Sequence, residues 1–340
     1  MKTKLGLVLL MGICVLRVFA QQDTPLFQSK KAINIQATGS VKSIKKKTND
    51  STFVLGKFQY EAAPGEWKVM PTEARVRGNF RLRYCYFPPL KIKFDKKDIT
   101  STLFEGNKSL KLVLPCRKSS DMNELIRREY LCYQFYEALS PYHFKTRLAN
   151  MKLTEISTKK PKTYDLLSFL VEDNSNVAKR SGGKIMETKG INPGAFEEKQ
   201  ALRNDYFQYM IGNADWSAVY QHNTNVLYAD EKYITLSYDF DMSGFVNAFY
   251  AKDNPPNLGT GDVRDRVYRG FCKSPEAMQE IRRDYLEKET LIQSLITEQG
   301  QHFTEVEVED MRDYVDQFFA ILKSDDRFKT NILDACRSDK

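Results

Sequence analysis

Histidine and tryptophan are scarce here, with 3 and 2 residues among 340. His143, His222 and His302 lie too far apart for a zinc site or a Ser-His-Asp triad to be read from them. HExxH, GxSxG and CxxC are all missing, which removes the zincin, α/β-hydrolase, zinc-ribbon and thioredoxin-type readings. Neither a glycine-rich GxGxxG loop nor a Walker GxxxxGK occurs. Beyond the N-terminus no apolar run is long enough to span a bilayer, which excludes a polytopic membrane protein. Internal repeats and low-complexity linkers are also missing, so no sharp domain cut is visible. What is present is 41% hydrophobic and 28% charged residues, enough for a large packed core.

The first twenty residues read as a Sec-type signal peptide, and the mature protein as periplasmic or extracellular. Lys2 and Lys4 precede an apolar stretch over residues 5–16, and Val18 and Ala20 are small residues ahead of a cut between Ala20 and Gln21. The stretch is too short for a stable transmembrane anchor. Ile13 before Cys14 is not the small residue a lipoprotein site needs. Loss of Lys2, Lys4 and Arg17 takes the net charge from +8 to about +5. That mild excess suits an anionic small molecule and is far from a nucleic-acid binder's profile. Cys85, Cys116, Cys132, Cys272 and Cys336 then remain, an odd count that allows two bridges and leaves one thiol. Cys85 and Cys116 flank neighbouring strand segments and are a candidate pair.

Alternating residues predict strands over 32–37, 52–60, 73–83, 90–94 and 110–114, and a hairpin over 147–156 and 166–172 joined by a basic turn at 157–164. Ile126, Tyr130, Tyr133, Tyr136 and Leu139 repeat at three- and four-residue spacings and predict a helix over 123–139. The second half reads as helical, with a helix over 201–210, a start at Ser274-Pro275-Glu276 and a capping box at Thr304 and Glu307. A short strand pair at 225–228 and 233–238 lies between them. The expected architecture is α+β and bilobal: a β-rich N-lobe with one helix over 21–172 and a mainly helical C-lobe with an acidic hairpin over 173–340. Arg75, Arg77, Arg81 and Arg83 alternate, which fits the wet face of an antiparallel strand or an anion site.

Chemistry concentrates in residues 211–245. An Asp-Trp pair at Asp215-Trp216 follows a helix end, Asn223 lies eight residues on, and Asp239 and Asp241 close the next strand around Phe240. On an extended backbone two such carboxylates project to one side. Hard oxygens of this kind suit Mg²⁺ or Mn²⁺, which take one or two carboxylates plus substrate phosphates. His222 beside Asn223 is a further neighbour of the acids.

Taken in order, Arg77-Gly78-Asn79, Leu90-Lys91-Ile92-Lys93-Phe94-Asp95, Gly212-Asn213-Ala214-Asp215-Trp216, residues 225–228 and Tyr238-Asp239-Phe240-Asp241 resemble the spore-coat kinase family CotH, which has an atypical protein-kinase-like fold. They are more similar still to an uncharacterised group of exported bacterial proteins in which DWS…HN, YDFD-x-SG and R-x-YRGFC recur, here ending at Arg266 to Cys272. The resemblance spans roughly residues 70–272. It implies ATP as donor, a divalent metal, and Asp215 as the acid that orients or deprotonates an acceptor hydroxyl. It implies Asn223, with Asn225 a rival, and Asp239 as metal ligands, with Asp241 a second. Lys91 or Lys93 would contact phosphate, Glu129 would pair with that lysine, and Glu172-Asp173 would border the nucleotide. The acceptor, whether a protein, a glycan or a small molecule, is left open. The alternative reading is a kinase-like fold without turnover, serving as a binding or assembly module of the cell envelope.

Overall fold

The computed structural model describes residues 23–338 except 48, 50, 79, 120, 157–159 and 252–260. The signal peptide and its cleavage point, Asn79 and the start of the 157–164 turn therefore lie outside the described residues. Alternating segments form β1 (Ile33–Gly39), β2 (Val54–Ala63), β3 (Glu66–Val76), β4 (Leu90–Lys93), β5 (Ser109–Val113), β6 (Thr146–Glu155) and β7 (Lys162–Glu172). Between them lie α1 (Val41–Lys47), α2 (Phe80–Tyr84), α3 (Lys96–Ile99) and the long α4 (Met122–Leu139). The seven strands close into a barrel in the order β1-β2-β3-β4-β5-β7-β6. Neighbours are antiparallel except at the seam, where β1 runs parallel to β6 with Ile33 opposite Ala149 and Gly39 opposite Glu155. Closure leaves no open edge.

After the barrel come α5 (Asn174–Arg180), β8 (Lys184–Met186), α6 (Glu198–Met210), β9 (Thr224–Ala229) and β10 (Lys232–Ser237), with the three strands in the order β10-β9-β8. Asp230 and Glu231 both have positive φ, as a two-residue hairpin turn matched to strand twist requires. The C-terminal helices are α7 (Pro275–Glu287), α8 (Glu289–Gln299), α9 (Glu305–Lys323) and α10 (Asp325–Phe328). Their starts follow the sequence: Ser274 accepts from Ala277 N with Pro275 in the first turn, and Thr304 and Glu307 cap each other reciprocally. Among the described residues no helix is long and apolar enough to cross a membrane.

The expected bilobal, kinase-like layout with a single helix in its first lobe is overturned. The first half is a closed seven-strand barrel and carries α1 to α4. One apolar core joins the two halves: Tyr130 and Phe135 of α4 share it with Phe169 of β7, Phe207 of α6, Phe240 and Phe318 of α9. Each such ring contributes roughly 1.5–3 kcal/mol on burial. Local alternation identifies strands but not their partners, and the parallel β1–β6 seam joins segments more than a hundred positions apart. The 73–83 strand is likewise corrected. β3 stops at Val76, Gly78 takes φ +70, and Phe80–Tyr84 is helical, which carries Arg81 into the interior at 6% exposure.

Two disulfides form, Cys85–Cys116 and Cys272–Cys336, and Cys132 is a buried free thiol. Paired cysteines belong to an oxidising compartment and are in keeping with export. The first bridge ties the end of α2 to the chain just after β5, where Tyr86 N also donates to Cys116 O at 2.8 Å.

Candidate functional site

The acidic hairpin is positioned by the end of α6. Gly212 takes φ +61, and a Cβ there would lie 2.0 Å from the Tyr314 hydroxyl, so glycine is required. The chain then turns on Asn213, whose Oδ1 accepts from Asp215 N at 2.9 Å and whose Nδ2 donates to Gln208 Oε1 at 2.8 Å. Arg269 donates to the Ala214 carbonyl. A tight loop closed by Ser217 and His222, each backbone N–H donating to the other's carbonyl at 2.9 Å, brings His222 back over Asp215. His222 Nε2 lies 2.8 Å from Asp215 Oδ1. Asn223, at φ +48, donates through Nδ2 to Asp215 O at 2.7 Å and Oδ2 at 3.0 Å.

Across the hairpin, Tyr238 N donates to Asn223 O at 3.0 Å, which sets the residues after β10 beside Asn223. Asp239 is also left-handed, at φ +66, and its N–H donates to the Tyr133 hydroxyl of α4 at 3.0 Å. The backbone around Asp239 and Asp241 is therefore a turn and not the extended segment the spacing suggested. The Asp239 carboxylate and Asn223 Oδ1 carry no hydrogen bond from described residues. The hydrogen bond to Asp215 raises the His222 pKa above its usual value, the Asp215 and Asp239 charges adding to it.

The opposing wall is cationic. Arg75, Lys91 and Lys111 stand in one cross-strand row on β3, β4 and β5. Lys91 pairs with Asp173 at 3.0 Å, whereas Lys93 lies 4.0 Å over the Phe53 ring. Lys111 is only 7% exposed and sits between Phe144 and Tyr238, 4.2 and 4.4 Å from their ring centres. Burial, with Arg77 adding repulsion, pushes its pKa well below the usual lysine value, and the carboxylates of Asp173 and Asp239 offset this in part.

Beneath the turn lies a buried ion cluster. Asp241 Oδ2 accepts from the Tyr250 hydroxyl at 2.9 Å and lies 3.8 Å from Arg81 Nη1. Burial and the neighbouring Asp239 raise the Asp241 pKa to about 6 against the pull of Arg81. Glu129 of α4, 2% exposed, is raised well above the carboxylate range by burial and then by Asp241. Its Oε1 has no hydrogen-bond partner among the described residues. Burial alone would lower the Arg81 pKa, but Tyr250, Asp241 and Glu129 outweigh it and keep the guanidinium charged.

The sequence matches no protein-family model and no curated protein.

Asp215, Asn223, Asp239 and Asp241 thus come together at the open end of the β9–β10 hairpin, with Lys91 on the facing wall. Lys93 shares the Lys91 face of β4 but lies over the Phe53 ring, and Glu129 lies with Arg81 and Asp241 and forms no ion pair with Lys91 or Lys93 among the described residues. Glu172 is buried in a structural contact, accepting from Arg180 Nε at 3.2 Å and Lys145 N at 3.1 Å, while its neighbour Asp173 is the residue that reaches Lys91. Asn225 donates to Asn174 Oδ1 at 3.2 Å, so Asn223 is the amide beside Asp215. Sequence reasoning missed Lys111, whose signal is a lone cation inside an apolar strand, Ser109–Val113. It also missed Arg81 as a buried ion, for which Gly78 was the signal. Among the described residues no three His, Cys, Asp or Glu side chains group to hold a metal. An ion at Asp239 and Asn223 would therefore need substrate oxygens to complete its shell.

Proposed function

We propose that this chain is an exported, metal-dependent phosphotransferase that moves the terminal phosphoryl group of ATP to a hydroxyl of a protein, glycan or small-molecule acceptor. The observation that carries the reading is the meeting of Asp215, Asn223 and Asp239 beside the cation row of β4 and β5. The ordered motifs similar to those of the CotH family add support. In this reading Asp215 takes the acceptor proton, and His222 and Asn223 fix its carboxylate in place. Lys111 and Lys91 receive the phosphate oxygens, whose negative charge favours the protonated form of Lys111. The oxygens of Asp239 and Asn223 that accept no hydrogen bond among the described residues suit Mg²⁺ or Mn²⁺, which when bound would neutralise charge on the phosphates.

Incubation with ATP labelled at the γ-phosphate and Mn²⁺ tests this, with transfer to water or to envelope extract as the readout. Asp215→Asn is expected to lower the rate by roughly 100-fold or more with no change in melting temperature. A wild-type rate in that variant would end the assignment. A second reading, binding without turnover, draws on the Asp215 carboxylate being engaged by both His222 and Asn223. It predicts metal-dependent ATP binding and no label transfer in any form of the protein.

A further inference from the structure

The two ends of the barrel are filled very differently. At one end Phe58, Tyr60, Phe94 and Phe104 pack ring against ring at 5.1–5.5 Å and close the interior. At the other, several inward positions of the first three strands are small: Ala37 and Gly39 on β1, Gly56 on β2 and Ala74 on β3, beside Val54 and Thr72. A cavity of about 660 Å³ results, walled by apolar side chains of β4, β5 and β6 such as Ile92, Leu112 and Leu153, with Phe58 at its base. Native interiors hold few voids larger than a water molecule, and this volume falls within the range of small-molecule sites, about 300–1,000 Å³.

Packing does not account for the glycines. A Cβ on Gly39 would meet nothing nearer than Ile44 Cδ1 at 3.9 Å, and one on Gly56 nothing nearer than the Thr38 and Thr72 carbonyl oxygens at 3.8 Å. Both are ordinary contacts, and neither residue has a positive φ. Larger residues were free to fill the space. Helix α1 lies along the cavity, contributing Val41, Ile44 and Lys47. Lys47 is exposed and pairs with no acid among the described residues.

We propose that the hollow end of the barrel binds a single-chain fatty acid, its acyl chain in the cavity and its carboxylate against Lys47. The chain supplies the apolar surface that the small residues leave uncovered, and the Lys47 ammonium supplies the complement to one anionic head. This inference stands apart from the phosphotransferase reading, since the cavity lies inside the barrel and the acidic hairpin outside it.

The test is a titration of the purified protein with cis-parinaric acid, whose fluorescence rises in apolar surroundings. Saturable one-to-one binding is expected in wild type, with displacement by unlabelled palmitate. Ala37→Phe, which fills the cavity, is expected to weaken binding at least 10-fold with a normal melting curve. Gly56→Val on the adjacent strand makes the same test should Ala37→Phe not fold. Lys47→Glu is expected to weaken the acid about 10-fold and leave the matching long-chain alcohol unchanged. Absence of saturable binding in folded wild type, or wild-type affinity in the filled variants, would overturn the proposal. So would binding to anionic vesicles without binding of the monomeric fatty acid.

Discussion

Strands β3, β4 and β5 carry two faces with opposite contents. Inward they present Ala74, Ile92 and Leu112 to the hollow of the barrel, and outward the row Arg75, Lys91 and Lys111, of which Lys111 meets Tyr238 of the acidic hairpin. In an ordinary half-buried sheet the outward row would be wet. Here Phe144 and Tyr238 cover Lys111, while the inner row borders unfilled space. Polarity along a strand therefore reports which side a residue faces and not how much water it meets. A cation covered this way is costly unless a partner compensates it, and that makes the outer row chemically informative.

The comparison can be broken most severely at the Cys85–Cys116 bridge, which fastens the chain after β5 to the helix that carries Arg81. Replacing both cysteines with alanine should cost about 3–4 kcal/mol, read as a lower denaturant midpoint, by loop-closure entropy over 31 residues. Next comes Glu129. Burial favours its protonated form, so Glu129→Gln should be tolerated with little loss, while Glu129→Ala should cost about 3 kcal/mol by opening a gap beside Arg81. Equal losses in the two variants would mean that the group is ionised and paired.

Lys111→Met probes the outer row directly. Removing a buried, poorly compensated cation should raise stability by about 1 kcal/mol, seen as a rise of a few degrees in Tm, and weaken ATP binding at the same time. A drop in Tm would show that the two rings and the two carboxylates compensate the charge fully. The smallest effect is at Asp241. Its folded pKa of about 6 lies above the unfolded value near 4, so the native state holds its proton longer. The stability from that linkage is complete below about pH 4 and is lost as the pH rises through about 6. Asp241→Asn should flatten this slope relative to wild type, measured by urea unfolding between pH 4 and 7.

Much of this was legible along the chain. Most strand segments, the tyrosine-rich stripe of α4, the Ser274 and Thr304 caps and the acidic hairpin follow from spacing and local chemistry, whereas the strand read over 73–83 ends at Val76. Barrel closure was not, because the β1–β6 pairing joins distant segments and each strand alone looks the same in an open sheet. The site was legible where residues act through neighbours in sequence, as with Asp215, His222 and Asn223. It was hidden where they meet across the fold. Lys111 meets Tyr238 through strand pairing and hairpin placement, and Arg81 meets Asp241 only after Gly78 turns the chain out of β3.

The most direct test of the outer face as a phosphate site is the melting temperature of the protein with and without ATP and Mn²⁺, with Asp239→Ala alongside. A ligand that binds only the folded state stabilises it, by about 2.7 kcal/mol at a hundredfold excess over Kd. The account predicts a rise of several degrees in wild type that disappears in Asp239→Ala, with equal melting points for the two proteins in the absence of ligand to within about a degree. An equal shift in both proteins, or none in either at millimolar ATP, would contradict it.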